Sequence, residues 1–168
     1  MTLNEILDTK IPITWSKTSD DNADYFRGEF NLDEKKYEIH IDVRTAKIEG
    51  KFITFADFGF TANDSFALTN AGKSGKIFGA VFNGAIPKLK SLNADMIMFG
   101  VNFKNEAVES RKSLYEKFAS WYSRGSIYQY STGWFNTKNG SYKLLSKKPL
   151  SSEALEEIKN SAALVPSK

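Results

Sequence analysis

Apolar and polar positions alternate with a period of two in the first third of the chain and with a helical period in its centre. Phe26, Gly28, Phe30 and Leu32 alternate with polar neighbours, as do Tyr37, Ile39, Ile41 and Val43, and the intervening Asp33-Glu34-Lys35-Lys36 suits a hairpin loop. Two antiparallel strands are predicted. Phe52 to Phe60 is a third, apolar on both sides apart from Thr54 and Asp57, the pattern of a strand inside a sheet with both faces covered. Ahead of this meander stand a short helical pattern over Leu3 to Thr9 and a polar stretch from Ser16 to Asp24, whose composition predicts a loose segment.

In the centre, Ile77, Phe78, Val81, Phe82, Ala85, Ile86 and Leu89 recur at three- and four-residue spacing. This predicts an amphipathic helix from near Ser74, which suits an N-cap, with Pro87 kinking or ending it. Met96 to Val101 is a continuous apolar run, read as a buried strand, and a helix follows with the stripe Ala107, Leu114, Tyr115, Phe118 and Tyr122. Ile127 to Tyr130 and Tyr142 to Leu145 read as strands, with Asn139-Gly140 turning the chain between Trp134-Phe135 and Tyr142. A charged helix runs from Ser151 to about Ala162. The fold class is α/β (α+β): one domain with a mixed, mostly antiparallel central sheet and flanking helices. An N-terminal helix and loose segment occupy 1–24, the domain 25–162 and a frayed tail 163–168.

Composition narrows the function classes. A chain of 168 residues, 41% hydrophobic and 14% aromatic, holds one domain with a sizeable core, and a net charge of +3 is too weak a field to specify nucleic acid or membrane. The absence of cysteine removes disulfides, thiolate catalysis and zinc-cysteine sites, and suits a reducing cytoplasm. A single histidine, His40, excludes a histidine cluster, and no metal is expected. The first residues carry Glu5, Asp8 and Lys10, unlike a signal peptide, and nowhere do about 18 apolar residues run together. A cytoplasmic protein without a membrane partner is expected.

Several positions carry candidate chemistry. A helix beginning at Gly72 to Lys76 presents unpaired N–H groups and a positive dipole end to an anion, with Lys73 and Lys76 adding charge; an ordinary loop capped by Ser74 explains the same residues. A nucleotide P-loop is excluded, because Ala67 stands where Walker A requires glycine. Asp57 stands among Phe52, Phe55, Phe58 and Phe60, where desolvation would make it a base able to take a proton from an ammonium. Alternatively it faces solvent on a bulged strand or accepts backbone hydrogen bonds. Glu38, His40 and Asp42 share one strand face, read as a solvated polar face. No G-x-S-x-G elbow supports a hydrolase. Tyr122, Arg124, Tyr128, Tyr130, Trp134 and Phe135 interleave with Lys138 and Lys143, either as a hairpin packed on the core or as a surface for nucleic acid or protein.

This element order resembles the GNAT (Gcn5-related N-acetyltransferase) family over residues 25 to 145. Asp95-Met-Ile-Met-Phe-Gly-Val101 followed by Leu114-Tyr115-Glu116-Lys117-Phe118 is similar to that family's late strand and L-Y-E-K-apolar helix. Thr69 to Ser74 resembles its pyrophosphate loop at Gly72, with Thr69 and Ser74 replacing the first and last motif residues. The Asn and Ala expected before the Leu-Tyr pair fall on Val108 and Arg111, and the Gly-Phe after it on Ala119 and Ser120. The resemblance implies transfer of an acetyl group from acetyl-CoA to an amine of unspecified substrate. Gly72, Lys73, Ser74, Gly75 and Lys76 would hold the pyrophosphate, and Tyr115 would be the general acid reprotonating the departing thiolate. A phenol with a pKa of about 10 keeps its proton at neutral pH; packing in the core is the other reading of Tyr115. The strands flanking the loop should then splay apart. The chain also resembles small bacteriophage proteins with a Ser-Arg-x-x-Leu-Tyr core. That implies the alternative of a non-enzymatic accessory protein in the host cytoplasm, on a degenerate scaffold that binds a host protein or nucleic acid.

Overall fold

The structure, a computed structural model, describes residues 11–32, 34–62, 74–104, 108–161 and 164. The strands are β1 (Thr14–Ser19), β2 (Ala23–Leu32), β3 (Lys35–Ile48), β4 (Lys51–Ala62), β5 (Met96–Asn102), β6 (Tyr130–Ser131), β7 (Phe135–Asn136) and β8 (Gly140–Ser146). The helices are α1 (Ser74–Leu92), α2 (Val108–Ser123) and α3 (Ser152–Lys159). Among the described residues, all the strands join one sheet in the order β1-β2-β3-β4-β5-β8-β6, with β7 also paired to β8, and only β4 and β5 run parallel. The chain is thus an α+β protein with a single, mostly antiparallel sheet, in line with the expected class.

The period-two pattern forms the β2–β3 hairpin, where Phe30 faces Tyr37 across the ladder and stacks on it at 5.2 Å. The same alternation gives the sheet two unlike faces. On one, Ile39, Ile41, Phe58, Phe60, Ile97 and Phe99 pack beneath α1 and α2. Phe118 of α2 ties these layers together, stacked between Phe82 of α1 at 4.4 Å and Phe58 at 4.6 Å. On the other face, Phe55, Met96, Met98 and Leu144 are covered by Ala154 and Ile158 of α3. The expected helix near Ser151 is α3, and Ser151 caps it, its side chain accepting from the Ala154 amide at 3.0 Å.

Three elements differ from expectation. The polar stretch from Ser16 is not all loose: it supplies most of β1, which pairs antiparallel with β2 from Thr14↔Glu29 to Ser19↔Asp24. Backbone hydrogen bonds hold a mostly polar edge strand, while its own Trp15 and the preceding Ile13 anchor it on the core. Ile13 presses so closely on α1 that a Cβ at Gly84 would lie 1.7 Å from its Cδ1. Pro87 does not end α1, which continues to Leu92. Finally, Tyr128 is a buried anchor outside the strands: its hydroxyl donates to the Ala94 carbonyl at 2.6 Å, and β6 starts only at Tyr130. The helical pattern over Leu3 to Thr9 lies outside the described residues.

The parallel pair β4–β5 is set by a side-chain clasp. Asp95 Oδ2 accepts from the Thr54 amide at 2.8 Å and from Thr54 Oγ1 at 3.0 Å, and the Asp95 amide donates back to Thr54 Oγ1 at 2.9 Å. Among the described residues, no helix is long and apolar enough to cross a membrane.

Burial pushes the Tyr128 phenol up to about 12, above the ordinary 10.0. The unfolded chain therefore ionises first as pH rises, so this contribution to stability is full below pH 10 and is lost between pH 10 and about 12. Tyr128→Phe should lose about 0.5–1.5 kcal/mol at neutral pH with the hydroxyl's bond, yet decline less steeply above pH 10. Urea unfolding across that range checks this; an unchanged alkaline slope would contradict it.

Candidate functional site

β4 and β5 stay paired only from Phe55↔Met96 to Phe58↔Phe99, although β4 continues to Ala62 and β5 to Asn102. Beyond that point β4 keeps its partner β3, and β5 keeps β8 from Gly100↔Tyr142 to Asn102↔Gly140. The sheet therefore opens at one end between its central strands. A strand edge facing such an opening leaves amide and carbonyl groups that must find other partners.

Two residues of α2 supply them. Arg111 and Tyr115 lie one helical turn apart, so both project from the same face toward Phe60. Arg111 Nη1 donates to the Phe60 carbonyl at 2.6 Å and to the Tyr115 hydroxyl at 3.4 Å. The Phe60 backbone also acts on the Tyr115 hydroxyl and favours its phenolate form, the sense expected of a donor amide. Both side chains are buried. The guanidinium lies 4.9 Å from the centre of the Phe60 ring, and the Tyr115 ring packs at 5.7 to 6.3 Å from Phe58, Phe60 and Phe99. Tyr115 thus joins the core, as its apolar stripe predicts, and also holds its hydroxyl in the opening. Burial pushes this phenol up; the Arg111 guanidinium and the Phe60 amide pull it down, and Asp57 pushes it up.

The hydroxyl reaches toward the second face. Alternation along β4 puts Asp57 and Gly59 opposite Phe58 and Phe60, and a Cβ built at Gly59 meets the Tyr115 hydroxyl at 3.3 Å. Asp57 has Phe55 on its own face but Phe58 and Phe60 on the other, while Phe52 is exposed. Arg44 Nη1 lies 3.4 Å from Asp57 Oδ2. Arg44 Nη2 also lies 3.5 Å from Asp42, and Asp42 is joined to Arg27 at 2.6 Å. A row of alternating charges therefore crosses β2, β3 and β4 and ends beside the opening. Asp57 is buried with a cationic partner, so desolvation alone does not define its surroundings.

Along β3, His40 Nε2 lies 3.1 Å from Glu38 and 3.3 Å from Thr61 Oγ1, whereas Asp42 turns to the arginines. Burial raises the Glu38 carboxyl, and a hydrogen bond with Glu29 raises it further. Among the described residues, no group of histidine and acidic side chains is arranged to hold a metal. Of the anion loop, Gly72 and Lys73 lie outside the described residues. Ser74, Gly75 and Lys76 form the first turn of α1, with their side chains outside the description.

The aromatic hairpin turns much of its surface inward. Tyr122 and Tyr128 are buried and stacked, Phe135 stacks on Tyr142, and Trp134 Nε1 donates to Glu116 Oε2 at 2.9 Å. Lys143 is 3.2 Å from the same carboxylate. In the sequence Arg111 stood out as a motif mismatch and as the arginine of the Ser-Arg-x-x-Leu-Tyr pattern, in neither case with a role of its own; its spacing of four from Tyr115 on an apolar stripe is the signal that marks it.

The chain matches no protein-family model, no curated protein and no solved structure.

Asp57→Ala leaves Arg44 with Asp42 alone and should destabilise the fold by about 1–3 kcal/mol, whereas the apolar pair Arg44→Met with Asp57→Leu should lose less. Urea denaturation of the two variants checks this ordering. Equal losses, or none, would show that the ion pair does not couple these strands.

Proposed function

We propose that the protein is a GNAT-like acyltransferase that moves an acetyl group from acetyl-CoA to an amine. The observation that supports this reading best is the opening between β4 and β5 beyond Phe58 and Phe99, with the Tyr115 hydroxyl in it. Acetyl-CoA, when bound, supplies an activated thioester. The opening gives an extended arm a place between two strands, and the start of α1 at Ser74 offers amides and a positive dipole end to phosphates, to which Lys73 and Lys76 add charge.

Asp57 accepts a proton from the incoming ammonium, freeing the nitrogen lone pair to bond to the acyl carbon. Tyr115 would give its hydroxyl proton to the sulfur that leaves with the carbon–sulfur bonding electrons, and would regain a proton from the nitrogen, which sheds its second one as the amide forms. Gly59 leaves the approach to this hydroxyl free of a side chain. The ion pair with Arg44 keeps Asp57 in place.

A second reading rests on a different observation. Phe60 has its carbonyl paired with Arg111, and the Tyr115 hydroxyl lies within reach of the same strand edge, so this part of it is already filled by the chain's own side chains. On that reading the scaffold is non-enzymatic and binds a host protein or nucleic acid.

Thermal and urea unfolding with acetyl-CoA separate the two. Cofactor at about 100 times its Kd should stabilise the fold by about 2.7 kcal/mol. Tyr115→Phe should retain that stabilisation while lowering turnover on an amine panel by roughly 10²–10⁴-fold. No stabilisation at millimolar acetyl-CoA would eliminate acyl transfer, and a specific copurifying protein or a salt-dependent nucleic-acid complex would then support the second reading.

A further inference from the structure

We infer that Arg111 is a positioning residue that aims the Tyr115 proton through the opening between β4 and β5, onto the face that carries Gly59 and Asp57. Its use in catalysis rests on the acyl-transfer reading; its effect on the hydroxyl does not. A phenol has one proton to donate and two lone pairs with which to accept. At Tyr115, Arg111 Nη1, which can only donate, faces one lone pair at 3.4 Å, and the Phe60 backbone acts on the hydroxyl in the same sense, favouring the phenolate as a donor does. Neither neighbour can receive the phenolic proton in those bonds. The proton is left to point away from them, and the hydroxyl already reaches the Gly59 side of the sheet.

Arg111 suits this task through its own anchoring. Nη1 carries two hydrogens, which allows the same nitrogen to serve the Phe60 carbonyl at 2.6 Å and the hydroxyl together. The planar group also lies on the Phe60 ring at 4.9 Å and over the Tyr115 ring at 6.0 Å, so contacts with both residues hold its orientation. Lysine can replace the charge but not this planar fork. The groups that act on Tyr115 are thus Arg111 from its own helix, the Phe60 amide from β4, and Asp57 from the same strand.

The test uses the full chain labelled with ¹³Cζ-tyrosine, the Tyr115 resonance being identified by its loss in Tyr115→Phe. Arg111→Met should shift that resonance at neutral pH and move its ionisation to higher pH, because a cation and a donor are lost. Arg111→Lys should restore the ionisation toward wild type but not the neutral-pH resonance position. If Arg111→Met does not fold, Arg111→Lys alone decides through the neutral-pH resonance. An unchanged Tyr115 signal in folded variants, with only a lower urea midpoint, would reduce Arg111 to a backbone cap and overturn the inference. Acetyl-CoA binding is measured separately on the same samples. A shifted resonance without cofactor binding sustains the positioning role while removing acyl transfer; binding with an unshifted resonance does the reverse.

Discussion

The backbone of a strand must be paired on both sides or reach water, and β4 loses one partner while both of its faces are still covered. Up to Phe58 the partner is β5; from Phe60 it is a pair of side chains from α2. An unsatisfied buried amide or carbonyl costs about 1–3 kcal/mol, so the divergence of the central strands is tolerated only because α2 lies where Arg111 and Tyr115 can reach. The placement of α2 in turn requires Phe118 between Phe58 and Phe82, which brings α1 into the same layer. The opening, the helix above it and the aromatic stack form one interdependent unit.

The two faces of the sheet divide the remaining work. Beneath α1 and α2, aromatic and aliphatic side chains supply the main apolar burial. The opposite face is apolar only under α3; across β2, β3 and β4 it carries Arg27, Asp42, Arg44 and Asp57 in linked pairs. Each buried charge on that row has an opposite neighbour within reach, which offsets the cost of removing it from water. Tyr115 belongs to the first face by its ring and approaches the second by its oxygen.

Much of this was legible in the sequence because it depends on side-chain periodicity. Phe30 and Tyr37 alternate with polar residues and meet across the hairpin, the last helix begins beside Ser151, and Tyr115 sits on a stripe that becomes core. β1 was hidden because its strand is held by main-chain bonds that composition does not reveal. Of the two outcomes read for Pro87, ending the helix fails because the packing of Phe82, Ala85 and Leu89 outweighs one missing intrahelical bond. Asp57 was placed among four phenylalanines by proximity in sequence, whereas the pleat sends two of them to the opposite face and folding brings Arg44 beside it. The importance of Arg111 depends on where β5 stops pairing with β4, a tertiary fact that no local pattern encodes.

The polarity that concealed β1 has a further effect at the margin of the sheet. An open edge is a template on which the strand of another molecule can continue the ladder, and flat apolar edges invite such growth. Thr14, Ser16, Lys17, Thr18 and Ser19 are exposed along this edge, with Lys17 beside Asp24. A second sheet docking there would have to strip water from hydroxyls and an ammonium while gaining little apolar contact. The weakly patterned start of the sheet thereby gives it a termination point, limiting self-association at that edge.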